Sequence, residues 1–339
     1  MSALVAAEAA EAPARVAGSL ARNRRDIAML AERLAVAPPR LLLTCARGSS
    51  DAAARWLRSL IEIRLGWPGG SISPSTVSTY GVDLELEGAL VVLVSQSGMG
   101  PDLLAVAEHA RRRSAFTVGL VNDEGSPLAG AVDVLLPLAV GAERSVAATK
   151  SCLAAMALGL AFVEECRIGS ADAVAAALPS HLAASASLDW SGLATALADA
   201  SSAYVVARGP GLAIAVEAAL KLKETAGIHA EAVSAAELLH GPVALAGPAM
   251  PALLFAARDQ ARASVGQAAA RLRARGAPTI CAGLREHATV VLPDRGAADP
   301  AVELLGRLQA FYGALAGLAL GRGRDPDAPP GLAKVTMTR

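Results

Sequence analysis

The sequence predicts an α/β protein built as an internal duplication: two similar domains, each a parallel sheet flanked by helices. Three observations carry this. Short runs of four to six apolar residues alternate with helix-length segments, and strands apolar on both faces belong to parallel sheets covered on both sides. The same grammar occurs twice, with the first strand of each half running into Ala-Arg-Gly, at Ala46-Arg47-Gly48 and Ala207-Arg208-Gly209. A chain of 339 residues also has room for two domains with cores of their own.

The elements follow in order. Residues 1–37 read as an N-terminal helical arm, stopped by Pro38-Pro39. The first domain, 38–170, opens with a strand from Leu41, a small-residue turn through Ser50 and an amphipathic helix from Asp51 to about Arg64. A second strand at Ala89–Val94, a basic helix, a third strand at Phe116–Val121 and a final strand at Val132–Leu136 follow. A long helix from Ser145 to about Cys166 closes the domain. The Ala-rich stretch 171–200, with Pro179 inside it, reads as a helical connector. The second domain, 201–324, repeats the plan. Its strand at Ala203–Ala207 precedes a helix holding Glu217–Glu224, and further strands are expected at Ala252–Ala256, Pro278–Ala282 and Thr289–Leu292. A last helix runs from Ala301 to about Leu320. The tail, 325–339, carries Pro326, Pro329 and Pro330, which cannot continue a helix and predict an extended segment.

Composition removes several function classes. Lys plus Arg equals Asp plus Glu at 31 each, so no global basic field draws nucleic acid. Arg111-Arg112-Arg113 read as partners of a helix C-terminal dipole. Residues 238–257 lack charge, but three prolines and two glycines interrupt them, so no clean membrane span is expected. Glu8 and Glu11, with no early Lys or Arg, argue against a secretory signal, and a cytoplasmic location is expected. Cys45, Cys152, Cys166 and Cys281 are scattered without C-x-x-C or a His at ligand spacing; they read as small buried apolar residues, and no metal or cofactor is expected.

The chemistry-bearing residues concentrate in a few places. Glu217, Lys221 and Glu224 stand at i, i+4 and i+7, so they stack on one helical stripe that can move protons on a small polar substrate. Such a stripe alone also fits a solvated, salt-bridged face. Its apolar surroundings, and His240 beside the Gly241-Pro242 turn, favour a site. His109 reads as a surface residue, and His181, His229 and His287 show no evident partner. Ser95-Gln96-Ser97-Gly98 follows a strand directly, and Ser49 and Ser50 occupy the equivalent place after the first strand. Hydroxyls, backbone amides and a helix N-terminus at strand ends make an anion cradle, although each turn alone also fits ordinary turn and N-cap serines. There is no G-K-[ST], no G-x-G-x-x-G and no G-x-S-x-G, which points away from nucleotides and serine hydrolysis and toward a small phosphorylated ligand.

Several segments together resemble the tandem sugar-isomerase (SIS) family. They are Cys45–Asp51, Ser95–Gly98, Glu143–Lys150, Glu217–Glu224, Ile228-His-Ala-Glu231, Glu237–Pro242 and Leu332-Ala-Lys-Val335, in unbroken order from about residue 40 to the C-terminus. Within the family the chain is similar to the isomerase half of glutamine–fructose-6-phosphate amidotransferase and, in size, to stand-alone type II glucosamine-6-phosphate deaminases. The resemblance implies a sugar-phosphate cradle of Ser49 or Ser50, Ser95, Gln96 and Ser97, with Val146 also at the substrate. It implies Glu224 as the base moving a proton between C1 and C2, supported by Lys221 and Glu217. It implies His240 as the ring-opening residue, reaching over from a neighbouring subunit, and Lys334 as the tail lysine able to form an imine with the ketose. A homodimer with a shared active site and a sugar-phosphate substrate follow from the same resemblance.

Two departures bear on this. Gly100 stands where the family often has a hydroxyl in the phosphate loop. Ser2 stands where the amidotransferase exposes its glutaminase cysteine, so ammonia is the expected nitrogen species rather than glutamine. The implied reaction is aldose–ketose isomerisation with deamination, glucosamine 6-phosphate plus water giving fructose 6-phosphate plus ammonia. Galactosamine-6-phosphate deamination and fructosamine-phosphate deglycation are the enzymatic alternatives. A non-catalytic sugar-phosphate sensor is the alternative from another class; such sensors usually have lost the Glu, His or Lys.

Overall fold

A computed structural model describes residues 3–334; Ser2, and the end of the tail from Val335, lie outside the described residues. In chain order the elements are α1 (Leu4–Val36), β1 (Leu41–Cys45), α2 (Gly48–Leu65), β2 (Gly69–Ser71), α3 (Pro74–Ser78), β3 (Ala89–Ser95), α4 (Pro101–Arg112), β4 (Phe116–Val121), α5 (Pro127–Gly130) and β5 (Val134–Pro137). They continue with α6 (Lys150–Ile168), α7 (Asp172–Ala186), α8 (Ser191–Ala196), β6 (Ser202–Ala207), α9 (Gly211–Ala226) and β7 (His229–Ser234). The remainder are α10 (Ala235–Leu239), β8 (Ala252–Phe255), α11 (Arg262–Ala274), β9 (Thr279–Ala282), β10 (Val290–Leu292) and α12 (Pro300–Gly321). Of the described residues, 14–143, 150–178 and 333–334 form one compact unit, and 3–13, 144–149 and 179–332 form the other.

The first unit holds a parallel five-stranded sheet in the order β2-β1-β3-β4-β5. Its central strands are buried on both faces, as their unbroken apolar runs require. Alternation then sorts the side chains. Leu90 and Val92 line an interior void with Leu30 of α1, Leu57 of α2 and Phe162 of α6. Val91 and Leu93 pack on the opposite face with Val106 and Ala110 of α4. Helix α6 is buried from Lys150 to Glu164, and Gly159 brings it close to Leu57.

The other unit holds a sheet in the order β10-β9-β8-β6-β7, again all parallel. One face packs Tyr204, Val206, Leu254 and Cys281 with Val265 and Leu272 of α11. The other carries an aromatic row in which Phe255 stacks on Trp190 and meets Phe311 of α12 edge-on. Arg322, just past α12, donates to the carbonyls of Ala226, Leu197 and Ala200. Helix Pro300–Gly321 has the length and apolar composition to cross a membrane, and 72% of its most apolar window is buried inside the protein, as in a core helix.

Numbered within its own half, each sheet reads 2-1-3-4-5, so the duplication extends to strand order. In both, the strand after the first turns back to one side and the third strand lies on the other. A crevice therefore opens at the carboxyl ends of β1 and β3, and of β6 and β8.

The structure departs from the sequence reading in several places. Two edge strands, β2 and β7, were not expected, and the strands at Ala89 and Ala252 are third rather than second in their halves. Gly69-Gly70-Ser71 has no apolar signal, and His229–Ser234 is half polar because an edge strand meets solvent. The helix expected from Ser145 starts at Lys150. After Gly321 the described tail is bends and turns, with Leu332 N–H bonded to the Pro329 carbonyl, rather than extended chain. His109, expected at the surface, is buried with its ring 3.1 Å from the Leu84 carbonyl oxygen. Cys45, Cys152 and Cys281 are buried, and burial pushes the thiols of Cys45, Cys166 and Cys281 up to about 12.

Candidate active site

The hydroxyl-bearing loops sit at the crevice between β1 and β3. Arg47 leaves β1 with extended backbone, and α2 begins at once at Gly48, so Ser49 and Ser50 lie in its first turn. The leading amides of a helix have no intrahelical acceptor, which suits an anion there. After β3, Ser95 Oγ accepts from Gly98 N at 3.0 Å and Ser97 Oγ accepts from Met99 N at 3.3 Å. Both hydroxyls keep their own proton to donate to a bound oxygen. Ser49, Ser50, Ser95, Gln96 and Ser97 are all half-buried. Gly98 has φ of 63°, and a Cβ there would stand 2.0 Å from Ser126 Oγ, so glycine is needed for the loop's path.

An ion pair laces the two loops together. The Arg47 guanidinium lies 3.0 Å from the carboxylate of Asp102, in the first turn of α4, and that carboxylate is almost fully buried. Gly100 N-caps α4 and offers no hydroxyl.

Lys334 belongs to the same unit. Its Nζ stands 3.4 Å from Oε2 of Glu143, a buried carboxylate that also accepts from Ser151 N at 3.1 Å and from Ser151 Oγ at 2.5 Å. Val146 belongs to the other unit and is half-buried; its segment is held where Glu8 accepts from the amides of Arg144 and Ser145.

The stripe on α9 forms as its spacing predicts. Lys221 Nζ lies 2.6 Å from Glu224 Oε2 and 3.5 Å from Glu217 Oε1. Tyr312 of α12 donates its hydroxyl to Glu217 Oε1 at 2.8 Å. The side chains of Glu217 and Lys221 are 0% and 1% exposed, while Glu224 is 20% exposed. The three therefore make a graded row: a carboxylate held in the core, a buried cation, and a carboxylate at solvent. Glu224 is fixed by a charge-assisted bond and retains a free edge for a proton.

His240 follows α10 as its C-cap and is exposed, with its backbone N–H bonded to the Glu237 carbonyl. Among the described residues no hydrogen bond or ion pair joins it to Glu224. The sequence reading missed three contributors. Tyr312 gave no signal, being 95 residues from Glu217 in sequence. The Arg47–Asp102 link was equally silent. Glu143 stood inside a recognised segment, but nothing in its neighbours pointed to a lysine 191 residues away.

Residues 39–165 and 196–284 match the SIS domain, and the chain belongs to the SIS domain family. It is 35% identical over 272 residues to the isomerizing glutamine–fructose-6-phosphate aminotransferase of Corynebacterium efficiens, covering 73% of this chain and 43% of that one. The chain thus spans less than half the length of that curated relative. A candidate phosphosugar isomerase from Silicibacter pomeroyi DSS-3 is 36% identical, with a TM-score of 0.90 over 96% of this chain and 100% of the other. The glucosamine-6-phosphate deaminase of Thermotoga maritima shares the fold, with a TM-score of 0.69 at 20% identity over 96% of this chain and 100% of its own.

Proposed function

We propose that the chain is a phosphosugar isomerase that deaminates an amino-sugar phosphate, converting glucosamine 6-phosphate and water to fructose 6-phosphate and ammonia. The observation that carries this is the graded row on α9, which presents one oriented carboxylate, Glu224, backed by a buried lysine at 2.6 Å. Moving a proton between two adjacent carbons asks for one such base within reach of both. The likeness to a phosphosugar isomerase and to aminotransferase isomerase regions supports the same chemistry.

In this reading the Ser49–Ser50 turn and Ser95–Ser97 hold the phosphate, with backbone amides in place of the hydroxyl that Gly100 lacks. Val146 packs beside the substrate. His240 opens the ring by proton transfer, freeing the C1 aldehyde. Glu224 takes the C2 proton to give an enolamine and returns it to C1, leaving an iminium at C2. Lys334, once out of its ion pair with Glu143 and deprotonated, attacks C2; ammonia departs, and water cleaves the lysine imine to release the ketose. Lys221 and Glu217 act by positioning Glu224.

The test is ammonia release from purified protein offered glucosamine, galactosamine and mannosamine 6-phosphates, with ketose formation followed in parallel. Stoichiometric ammonia and fructose 6-phosphate from glucosamine 6-phosphate is the expected result. Ketose–aldose exchange without ammonia would leave an isomerase that is no deaminase, and binding without turnover would leave a sensor.

A further inference from the structure

We infer that the unit built on β6–β10 carries a second anion site, at the carboxyl ends of β8, β9 and β10, suited to a small phosphorylated ligand. A cleft of about 540 Å³ opens there, where Arg258, the loop Gly283–Glu286 and the turn Leu292–Asp294 meet the first turns of α11 and α12. None of the residues predicted for the active site lines it. Its volume lies within the roughly 300–1,000 Å³ of small-molecule sites. Carboxyl ends of parallel strands are where such sheets bind ligands. A duplicated fold has two sets of them, and the hydroxyl loops account for one.

The charges in the cleft do not cancel. Arg307, buried beneath it, donates to both oxygens of Asp294 at 2.8 Å and to Glu303 Oε1 at 2.7 Å. Glu303 Oε2 accepts the Arg258 amide at 3.0 Å, and the Arg258 guanidinium stands 3.2 Å from Oε1. Those two acids are thus matched by those two arginines. Arg262 and Arg285 remain. Among the described residues Arg262 hydrogen-bonds a neutral acceptor, the Gly283 carbonyl, and makes no close ion pair. Arg285 is exposed and makes no ion pair or side-chain hydrogen bond among the described residues. The remaining acid is Glu286, whose carboxylate is held below the usual carboxylate range by the backbone amides of Glu286 itself and Arg285 and, more weakly, by the charge of Arg262; one acid against Arg262 and Arg285 leaves one arginine charge in excess.

The floor of the cleft points the same way. Gly283 has φ of 84°, and a Cβ there would stand 2.3 Å from the Ala256 carbonyl and 2.4 Å from Arg307 Nη2. The floor is therefore bare backbone directly over a guanidinium. The Nη2 atom that lies under it is bonded to Asp294 and Glu303, which fixes the guanidinium in place. Two guanidinium forks over such a floor fit the oxygens of a phosphate dianion.

The experiment is a calorimetric titration of the full chain with inorganic phosphate at constant ionic strength, with melting curves checking that each variant is folded. We expect a binding component that R262Q/R285Q weakens by roughly tenfold or more, the effect of losing charge-assisted contacts, and that S95A/S97A leaves in place. The single surface variant Arg285→Glu should weaken the same component, since it reverses a charge that no structural contact uses. Parental phosphate binding in R262Q/R285Q and Arg285→Glu, loss of all phosphate binding in S95A/S97A, or no binding by the parent would each overturn the site.

Discussion

Glu224 differs from its two neighbours on α9 in touching solvent, and that difference separates catalysis from support at the residue scale. Glu224→Gln preserves length and a contact with Lys221 but cannot take a proton, and general-base catalysis contributes roughly 10²–10⁴-fold. Ammonia release should fall by that factor while the variant still binds sugar phosphate by calorimetry; parental turnover would remove Glu224 from the reaction. Tyr312→Phe should behave in the opposite way. It deletes the hydroxyl that bonds Glu217 Oε1 at 2.8 Å in the core, leaving a buried carboxylate less satisfied. A loss of about 1–3 kcal/mol is expected in denaturant unfolding, and an unchanged midpoint would show that this bond adds nothing. The two residues also show what the sequence could reveal. Glu217, Lys221 and Glu224 share one segment, so the helical period alone aligns them. Tyr312 reaches the row from α12, and no local pattern announces a contact made by folding.

At the scale of elements, the phosphate loop and the tail can be tested separately. Gly98→Ala would force φ of 63° on a residue with a Cβ and drive that Cβ into Ser126, whose hydroxyl caps α5 and bonds the Asp123 carbonyl. The left-handed backbone alone costs about 1–2 kcal/mol; a lower melting temperature and weaker substrate binding should appear together. Melting unchanged from the parent would mean the loop yields easily. For the tail, Lys334→Ala should abolish most deaminase activity with little change in melting, because Ser151 still bonds Glu143 on two sides. Lys334→Arg separates charge from imine chemistry. It retains a cation for Glu143 but cannot form the imine, so it should be as inactive as the alanine variant; recovered activity would reduce Lys334 to an electrostatic role. The elements themselves were legible wherever burial on both faces forces an apolar run, as at β3, β4 and β8. The edge strands β2 and β7 were not, since an edge strand lacks that constraint, and the tail's turns rest on contacts rather than on its prolines.

At the scale of the molecule, the duplication was readable because both halves obey the same packing rule, and the two sheets do share one strand order. How the chain divides into compact units was less so: residues 144–149 belong with the β6–β10 unit although the segments on either side do not, a matter of packing that no composition shift marks. At this scale the role of His240 turns on which chain it serves. It is exposed as the C-cap of α10, and among the described residues no hydrogen bond or ion pair ties it to Glu224. A histidine so placed fits the family expectation of a site completed across a symmetric dimer, in which each chain lends to the other what it receives. Mixing His240→Ala chains with Glu224→Gln chains decides it. If each site combines Glu224 of one chain with His240 of its partner, a mixed dimer has one site carrying both lesions and one carrying neither. Each mixed dimer should then recover about half the parental activity. A random population, about half of it mixed dimers, should recover roughly a quarter. If both residues serve the substrate of their own chain, every site keeps one lesion and mixing restores nothing. Ammonia release from subunits unfolded together and refolded, with mixed dimers verified by differential tags, reads the difference directly; silence in verified mixed dimers would return His240 to its own chain's site or remove it from the reaction.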